Sequence, residues 1–267
     1  MIKATPFTKR LVNSCQAVEI KKPPEPSWLP ADKTRLLHLD IGLAEDGFEL
    51  TIAKLKPYFK EKEIALFSCD LGPSAVMRRR TIPLSPVLKL PEIKRLFERS
   101  IKLIREIYAG PIGVENYNYF PTGLYEHICQ PQIISELVEE FDIYLVVDLA
   151  HAAISAYNLN VPIDNYLEAL PWSRVREIHL STPFIPLLKG PMALDSHDSP
   201  KKREFDWLVK ALDLFESSNQ NLNLNSQLNK ALPPPFVVVE FYRSHNTIVR
   251  VFTKTAQYLK EPEVTFK

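Results

Sequence analysis

Seven short stretches of the chain end in side chains of the kind that bind metal ions. His38 and Asp40 close LLHLD, Asp70 follows ALFSC, and Glu115 with Asn116 closes IGVEN. Asp148 and His151 follow YLVV, His179 stands in VREIHLS, Asp195 and His197 form DSHD, and Glu240 closes FVVVE. Imidazole and carboxylate together suit zinc, iron and manganese, and one carboxylate can bridge two ions. The same carboxylates gathered without a cation would repel one another, and their pKa values would rise. Each residue also has a plainer role open to it. A strand histidine can be a hydrogen-bonded structural group, Glu240 can pair with a lysine, and DSHDSP can be a turn that caps the next helix. Four of the six histidines nevertheless belong to the set, and only His127 and His245 stand outside it.

Such residues can converge only if the strand ends share one face. Strand-like runs are expected at Cys15–Ile20, Arg35–Asp40, Ile64–Cys69, Ile112–Glu115, Ile143–Asp148, Val175–Leu180 and Phe236–Glu240. Amphipathic segments lie between several of them. Pro91–Tyr108 has proline in its first turn and apolar residues at three- and four-residue spacing, and Pro131–Phe141 and Phe205–Phe215 are similar. Strands alternating with helices imply a parallel sheet covered on both faces, with its active site at the carboxyl ends of the strands. The pattern fits both a closed βα barrel and an open doubly wound sheet, because seven strands can be counted and not eight. One domain, 1–267, accommodates the length. Glu216–Asn229 (ESSNQNLNLNSQLN) is expected as a flexible surface insertion before the last strand, and Lys21–Pro30 as a proline-rich loop.

Composition narrows the function classes. The net charge of +1 gives no footprint for nucleic acid, and Arg78–Arg80 and Lys201–Arg203 read as solvated loop faces. No apolar run reaches the roughly 20 residues of a membrane span. The opening MIKATPFTKRLVNS lacks the apolar stretch of a secretory signal, and Cys15, Cys69 and Cys129 read as reduced thiols. The expected location is cytoplasmic.

The succession Glu, Asp-x-x-His, His, Asp-x-His, Glu resembles the metal site of the xylose-isomerase-like and endonuclease IV-like TIM barrels. Its wording is similar to one branch, the multinuclear non-haem iron oxidative enzymes of the domain-of-unknown-function 692 family, which includes the methanobactin-biosynthesis oxidase. The stretches that carry the resemblance are VEN (114–116), DLAHAAISAYN (148–158), VPIDNYLEALP (161–171), EIHLS (177–181), DSHD (195–198) and VVVEFY (237–242). LLHLDIG adds His38 less securely. The resemblance implies a (β/α) barrel with an irregular or incomplete strand set. It implies metal ligands at Glu115, Asp148, His151, His179, Asp195, His197 and Glu240, with His38 an eighth. Asp70 would be a further ligand or a supporting group, and Asn116 and Asn158 would orient ligands or face substrate.

It further implies two or three iron ions, dioxygen chemistry on a peptide or small thiol substrate, and a separate peptide-recognition protein. Three departures stand out. Asp70 replaces a histidine of the family pattern, Pro183 replaces a second one, and Tyr242 stands where an aspartate is common. They leave the third metal position open. A zinc- or manganese-dependent phosphodiesterase or sugar isomerase on the same barrel is the alternative, although no strand-end lysine stands out for an isomerase. A barrel that only binds is the third reading.

Overall fold

In the computed structural model, eight parallel strands close into a barrel. The structure describes residues 2–6, 16–78 apart from 22, 26 and 28, 82–186, 192–225 and 233–240. In chain order the elements are β1 (Ile2–Pro6), β2 (Ala17–Ile20), β3 (Thr34–Gly42), α1 (Phe48–Glu61), β4 (Leu66–Asp70), β5 (Met77–Arg78), β6 (Ile82–Pro83) and α2 (Leu90–Arg105). There follow β7 (Ile112–Glu115), α3 (Pro131–Glu140), β8 (Tyr144–Asp148), α4 (Leu149–Asn158), α5 (Ile163–Glu168), β9 (Val175–Leu180), β10 (Thr182–Phe184), β11 (Leu194–Asp198), α6 (Lys202–Asn225) and β12 (Phe236–Val239). The barrel runs β1, β2, β3, β4, β7, β8, β9, β12 and back to β1. Register shifts interrupt the β3–β4 and β8–β9 ladders, so the strand set is irregular. β5 with β6 and β10 with β11 form separate antiparallel ribbons.

Closure excludes the open doubly wound sheet. The strand that closes the barrel, β1, has the sequence IKATP, whose single large apolar residue leaves no hydrophobic run to mark it. The other seven barrel strands match the expected runs. One expected feature differs. Glu216–Asn225, expected as part of a flexible surface insertion, continues α6 as helix, and residues 226–229 lie outside the described residues. Phe205, Leu208, Ala211 and Phe215 form a buried stripe at helical spacing, and Asn219 extends it one turn, donating to the Phe215 carbonyl at 2.9 Å. Cys15, Tyr242 and His245 also lie outside the described residues. Among the described residues no helix is long and apolar enough to cross a membrane.

The two-residue period of a strand divides each barrel strand between two environments. Val18, Leu37, Phe67, Val114, Leu145, Val147, Ile178 and Val237 belong to the large core that also contains Ile52, Phe97, Ile104, Leu137 and Phe205 from the helices. The alternate residues Ala17, Leu36, Leu66, Val146, Phe236 and Val238 form a second, smaller cluster inside the barrel. Full burial of one such Leu, Val or Phe side chain contributes about 1.5–3 kcal/mol. Gly113 faces the interior as well, since a Cβ there would meet Val146 Cγ2 at 3.2 Å and Leu66 Cδ1 at 3.4 Å. The strands thus plug the barrel floor with apolar side chains and leave the next inward position, two residues on, for something else.

Candidate metal centre

That next position is polar on strand after strand. Glu19 follows Ala17, His38 follows Leu36, Ser68 and then Asp70 follow Leu66, Glu115 follows Gly113, Asp148 follows Val146, and Glu240 follows Val238. On β9 both positions are polar, Glu177 and then His179. The ladder register sets Asp70 beside Glu115 and Asp148 beside His179. All of these side chains are buried.

Glu115 stands at the middle. Its carboxylate lies 3.1 Å from His38 Nε2, 3.2 Å from His151 Nδ1 and 3.6 Å from His179 Nδ1. Burial pushes its pKa up, but His179, His151 and His38 outweigh that and hold it well below the ordinary carboxylate range. His38 Nε2 also lies 3.6 Å from Asp70, while its Nδ1 is 3.0 Å from Ser68 Oγ. Burial, with Lys21 nearby, lowers the His38 pKa and favours the neutral ring that a metal requires. His179 Nδ1 lies 3.4 Å from Glu240 as well.

Asp148 caps α4 by accepting the His151 N–H on Oδ1 at 2.7 Å, which fixes the geometry of Asp-x-x-His. Its Oδ2 is buried without a hydrogen-bond partner. Burial, with Glu115 and Asp195 nearby, raises its pKa to about 6 against the pull of His151. Asp195 and His197 arrive on β11, a strand of the β10–β11 ribbon rather than a loop. Asp195 Oδ2 lies 3.3 Å from His151 Nε2 and 2.8 Å from His197 Nε2. His197 is held at φ +42°, a left-handed conformation uncommon for a residue with a Cβ.

The asparagines take supporting places. Asn116 donates from Nδ2 to the Asp148 carbonyl at 3.1 Å and accepts the Asp148 N–H on Oδ1 at 2.8 Å, so it prolongs the β7–β8 ladder by one step. Asn158 does not reach the mouth. It donates to the Tyr119 carbonyl at 2.7 Å and accepts the Ala193 N–H at 3.2 Å, joining the loop after β7 to the segment that leads into β11. Ser155 accepts the Tyr119 N–H at 2.9 Å and donates to the Tyr117 carbonyl at 3.1 Å. Cys69 points away from the site into the outer core, where burial pushes its thiol far above the ordinary range.

Five residues of the mouth were not singled out from the sequence. Glu19 and Glu177 are fully buried carboxylates, and Tyr117 and Asn118 help line a cavity of about 150 Å³ over Glu115. The fifth is Lys21, a lysine one residue beyond β2 that lines the same cavity, so a strand-end lysine is present after all. Alternation marks Glu19 and Glu177 only once the inward face of each strand is known, since each is a charged residue at an inward position of an apolar strand. Only the register of β2 reveals Lys21.

Three groups of donors at the mouth bring their ligand atoms within 4.8 Å of one another: His38, Asp70 and Glu115; Glu115, Asp148 and His151; Asp148, His179 and Glu240. Consecutive groups share Glu115 and then Asp148. A fourth group, Glu19, Glu177 and His179, lies below.

Solved structures of similar shape show the barrel alone. A D-tagatose 3-epimerase-like protein superposes with a TM-score of 0.60 at 14% identity over 97% of each chain. The D-allulose 3-epimerase from Methylomonas sp. in complex with D-allulose gives 0.55 at 10% identity, over 97% of this chain and 96% of that one. Sequence relatives are UPF0276 proteins. One from Vibrio vulnificus (strain CMCP6) is 26% identical over 168 residues, 62% of this chain and 57% of the relative. One from Caulobacter vibrioides (strain NA1000 / CB15N) is 27% identical over 118 residues, 44% of this chain and 41% of the relative. The chain thus spans little more than half the length of the Vibrio relative. The model of the RiPP precursor modification enzyme family MbnB/TglH/ChrH matches residues 36–228, from within β3 past the DSHD ribbon. With well over half of the chain inside that match, the protein belongs to the MbnB/TglH/ChrH family of RiPP precursor modification enzymes.

Proposed function

We propose that the mouth of the barrel holds two or three iron ions and oxidatively modifies a peptide or small thiol-containing substrate. The observation that carries this reading is the sharing of Glu115 and Asp148 between neighbouring donor groups. A carboxylate common to two such groups is a bridge, and bridges build centres of more than one metal. The orphaned Asp148 Oδ2 fits a metal in the same way. The donors are nitrogen and oxygen only, a set suited to iron, manganese or zinc and not to a soft thiolate-bound ion.

His38, Asp70 and Glu115 would hold one ion, Glu115, Asp148 and His151 a second, and Asp148, His179 and Glu240 a third. Asp195 and His197 would complete coordination from the β10–β11 ribbon. Bound iron would supply oxygen activation and a seat for a substrate thiolate. The protein's own groups do the rest. Ser68 orients the His38 ring, Asn116 fixes the Asp148 backbone, and the cavity over Glu115 admits a small group past Tyr117 and Asn118 while the apolar floor excludes water from below. The substrate in this reading is a precursor peptide, delivered with a separate recognition protein, as the family implies.

The same donors accept zinc or manganese, which would instead activate water or polarise a carbonyl. The test is to load the metal-free protein anaerobically with iron, zinc or manganese and add cysteine-containing peptides with and without oxygen. An oxygen-dependent mass change with iron alone is expected. Turnover with zinc or manganese in the absence of oxygen would overturn the oxidative reading.

A further inference from the structure

Among the described residues, Lys21 is the one lysine or arginine that lines the mouth. Its stem starts just past the end of β2 and crosses over β1 to the end of β12, where the ammonium contacts Glu240. The same nitrogen lies 3.4 Å from Glu19 Oε1 and 3.5 Å from Asp40 Oδ1.

Beneath it, Glu19, Glu177 and His179 are all fully buried. His179 Nε2 lies 3.1 Å from Glu19 Oε2 and 3.2 Å from Glu177 Oε1, while its Nδ1 faces Glu115 and Glu240. One ring N–H cannot satisfy two carboxylates, and Glu177 Oε2 is buried with no hydrogen-bond partner. β9 therefore puts a carboxylate at a depth where β3, β4 and β8 put Leu36, Leu66 and Val146. Charges buried this way need compensation. A metal bound at Nδ1 would leave His179 a neutral ring, and among the described residues Lys21 would then be the cation in contact with Glu19 and Glu240.

We propose that Lys21 is a built-in cation: its ammonium fills a fourth cation position, between Glu19, Asp40 and Glu240, and so confines metal ions to the rest of the mouth. The inference rests on the mouth being a metal centre. An all-oxygen pocket of this kind, stripped of its lysine, suits a hard divalent ion such as manganese. Lys21→Ala removes both the charge and the stem that occupy the position, and Lys21→Arg keeps a cation there.

The experiment counts Mn2+ per chain by mass spectrometry after reconstitution and desalting, in the wild type, Lys21→Ala and Lys21→Arg. Lys21→Ala is expected to hold one more Mn2+ than the wild type and Lys21→Arg the same number. The melting temperature of Lys21→Ala should be lower than wild type without metal and should rise more on adding Mn2+. Equal counts in Lys21→Ala and the wild type would overturn the proposal. Absence of metal from the wild type would refute the metal centre instead, since Lys21 is judged on the difference between chains. If Lys21→Ala fails to fold without metal, Lys21→Gln and refolding in Mn2+ decide the matter. Recovery with an added ion supports the built-in cation, and failure of both variants to recover in Mn2+ overturns it.

Discussion

At the scale of single residues, the candidate centre is a set of opposed charges that could hold a metal. Burial alone would lower the pKa of His151 and His179, but Asp148, Glu115, Asp195, Glu240 and Glu19 outweigh it and raise both well above the usual value. Both rings therefore favour the protonated form in the metal-free protein, and an ion bound to them would displace protons. Binding is expected to release protons at pH 7 and to tighten as pH rises. Calorimetry in two buffers of different ionisation enthalpy reads the proton count, and uptake of protons would contradict the assignment. The sign for stability follows from the same shifts. A histidine whose folded pKa is raised stabilises the fold fully below its unfolded value near 6.5, and that contribution is lost as pH rises through the folded value. The metal-free protein should thus lose stability on the alkaline side of neutrality, and the loaded protein should not. These states were hidden in the sequence, because a histidine two residues from a carboxylate reads the same whether it is buried or in solvent.

At the scale of elements, each candidate ligand is aimed by the strand or cap that carries it. Asn116 holds the end of β8 to the end of β7 through two hydrogen bonds to the Asp148 backbone. Asn116→Ala would leave a buried N–H and a buried C=O unsatisfied at a cost of about 1–3 kcal/mol. Urea unfolding should show that loss together with weaker metal binding, and an unchanged midpoint would contradict the clamp. Most of this level was legible beforehand. The alternation of VVD, IHL and VVVE shows both the buried strand and the polar residue at its end, and Asp148 at the head of a helix follows from its N-cap chemistry. What escaped were Glu19 and Glu177, because a carboxylate inside an apolar strand is legible only once the inward face is known. The DSHD ribbon escaped as well, since its pairing with β10 is a contact across a loop.

At the scale of the whole molecule, closure decides whether those strand ends converge at all. β1 pairs with β2 on one side and β12 on the other, and it carries almost no apolar signal of its own. Its place was therefore invisible locally and comes from the seven neighbours that need an eighth to satisfy both edges. A chain lacking residues 1–6 would expose the edges of β2 and β12, which bear Glu19, Lys21 and Glu240. It is expected to lose cooperative unfolding and to self-associate, read by urea unfolding and by size-exclusion chromatography with light scattering. A monomer with wild-type unfolding would contradict the closed barrel. The Asn- and Gln-rich tail of α6 is the opposite case, because its composition suggests a flexible insertion while the stripe through Phe215 and Asn219 keeps it helical.

The central claim is that the closed barrel gathers bridging carboxylates around several ions. Metal quantified against protein in the anaerobically purified chain, with Asp148→Ala beside it, tests that claim most directly. Two to three irons per wild-type chain, falling in the variant, is the result the proposed function predicts. No bound metal in the wild type, even after reconstitution with iron, zinc or manganese, would contradict it.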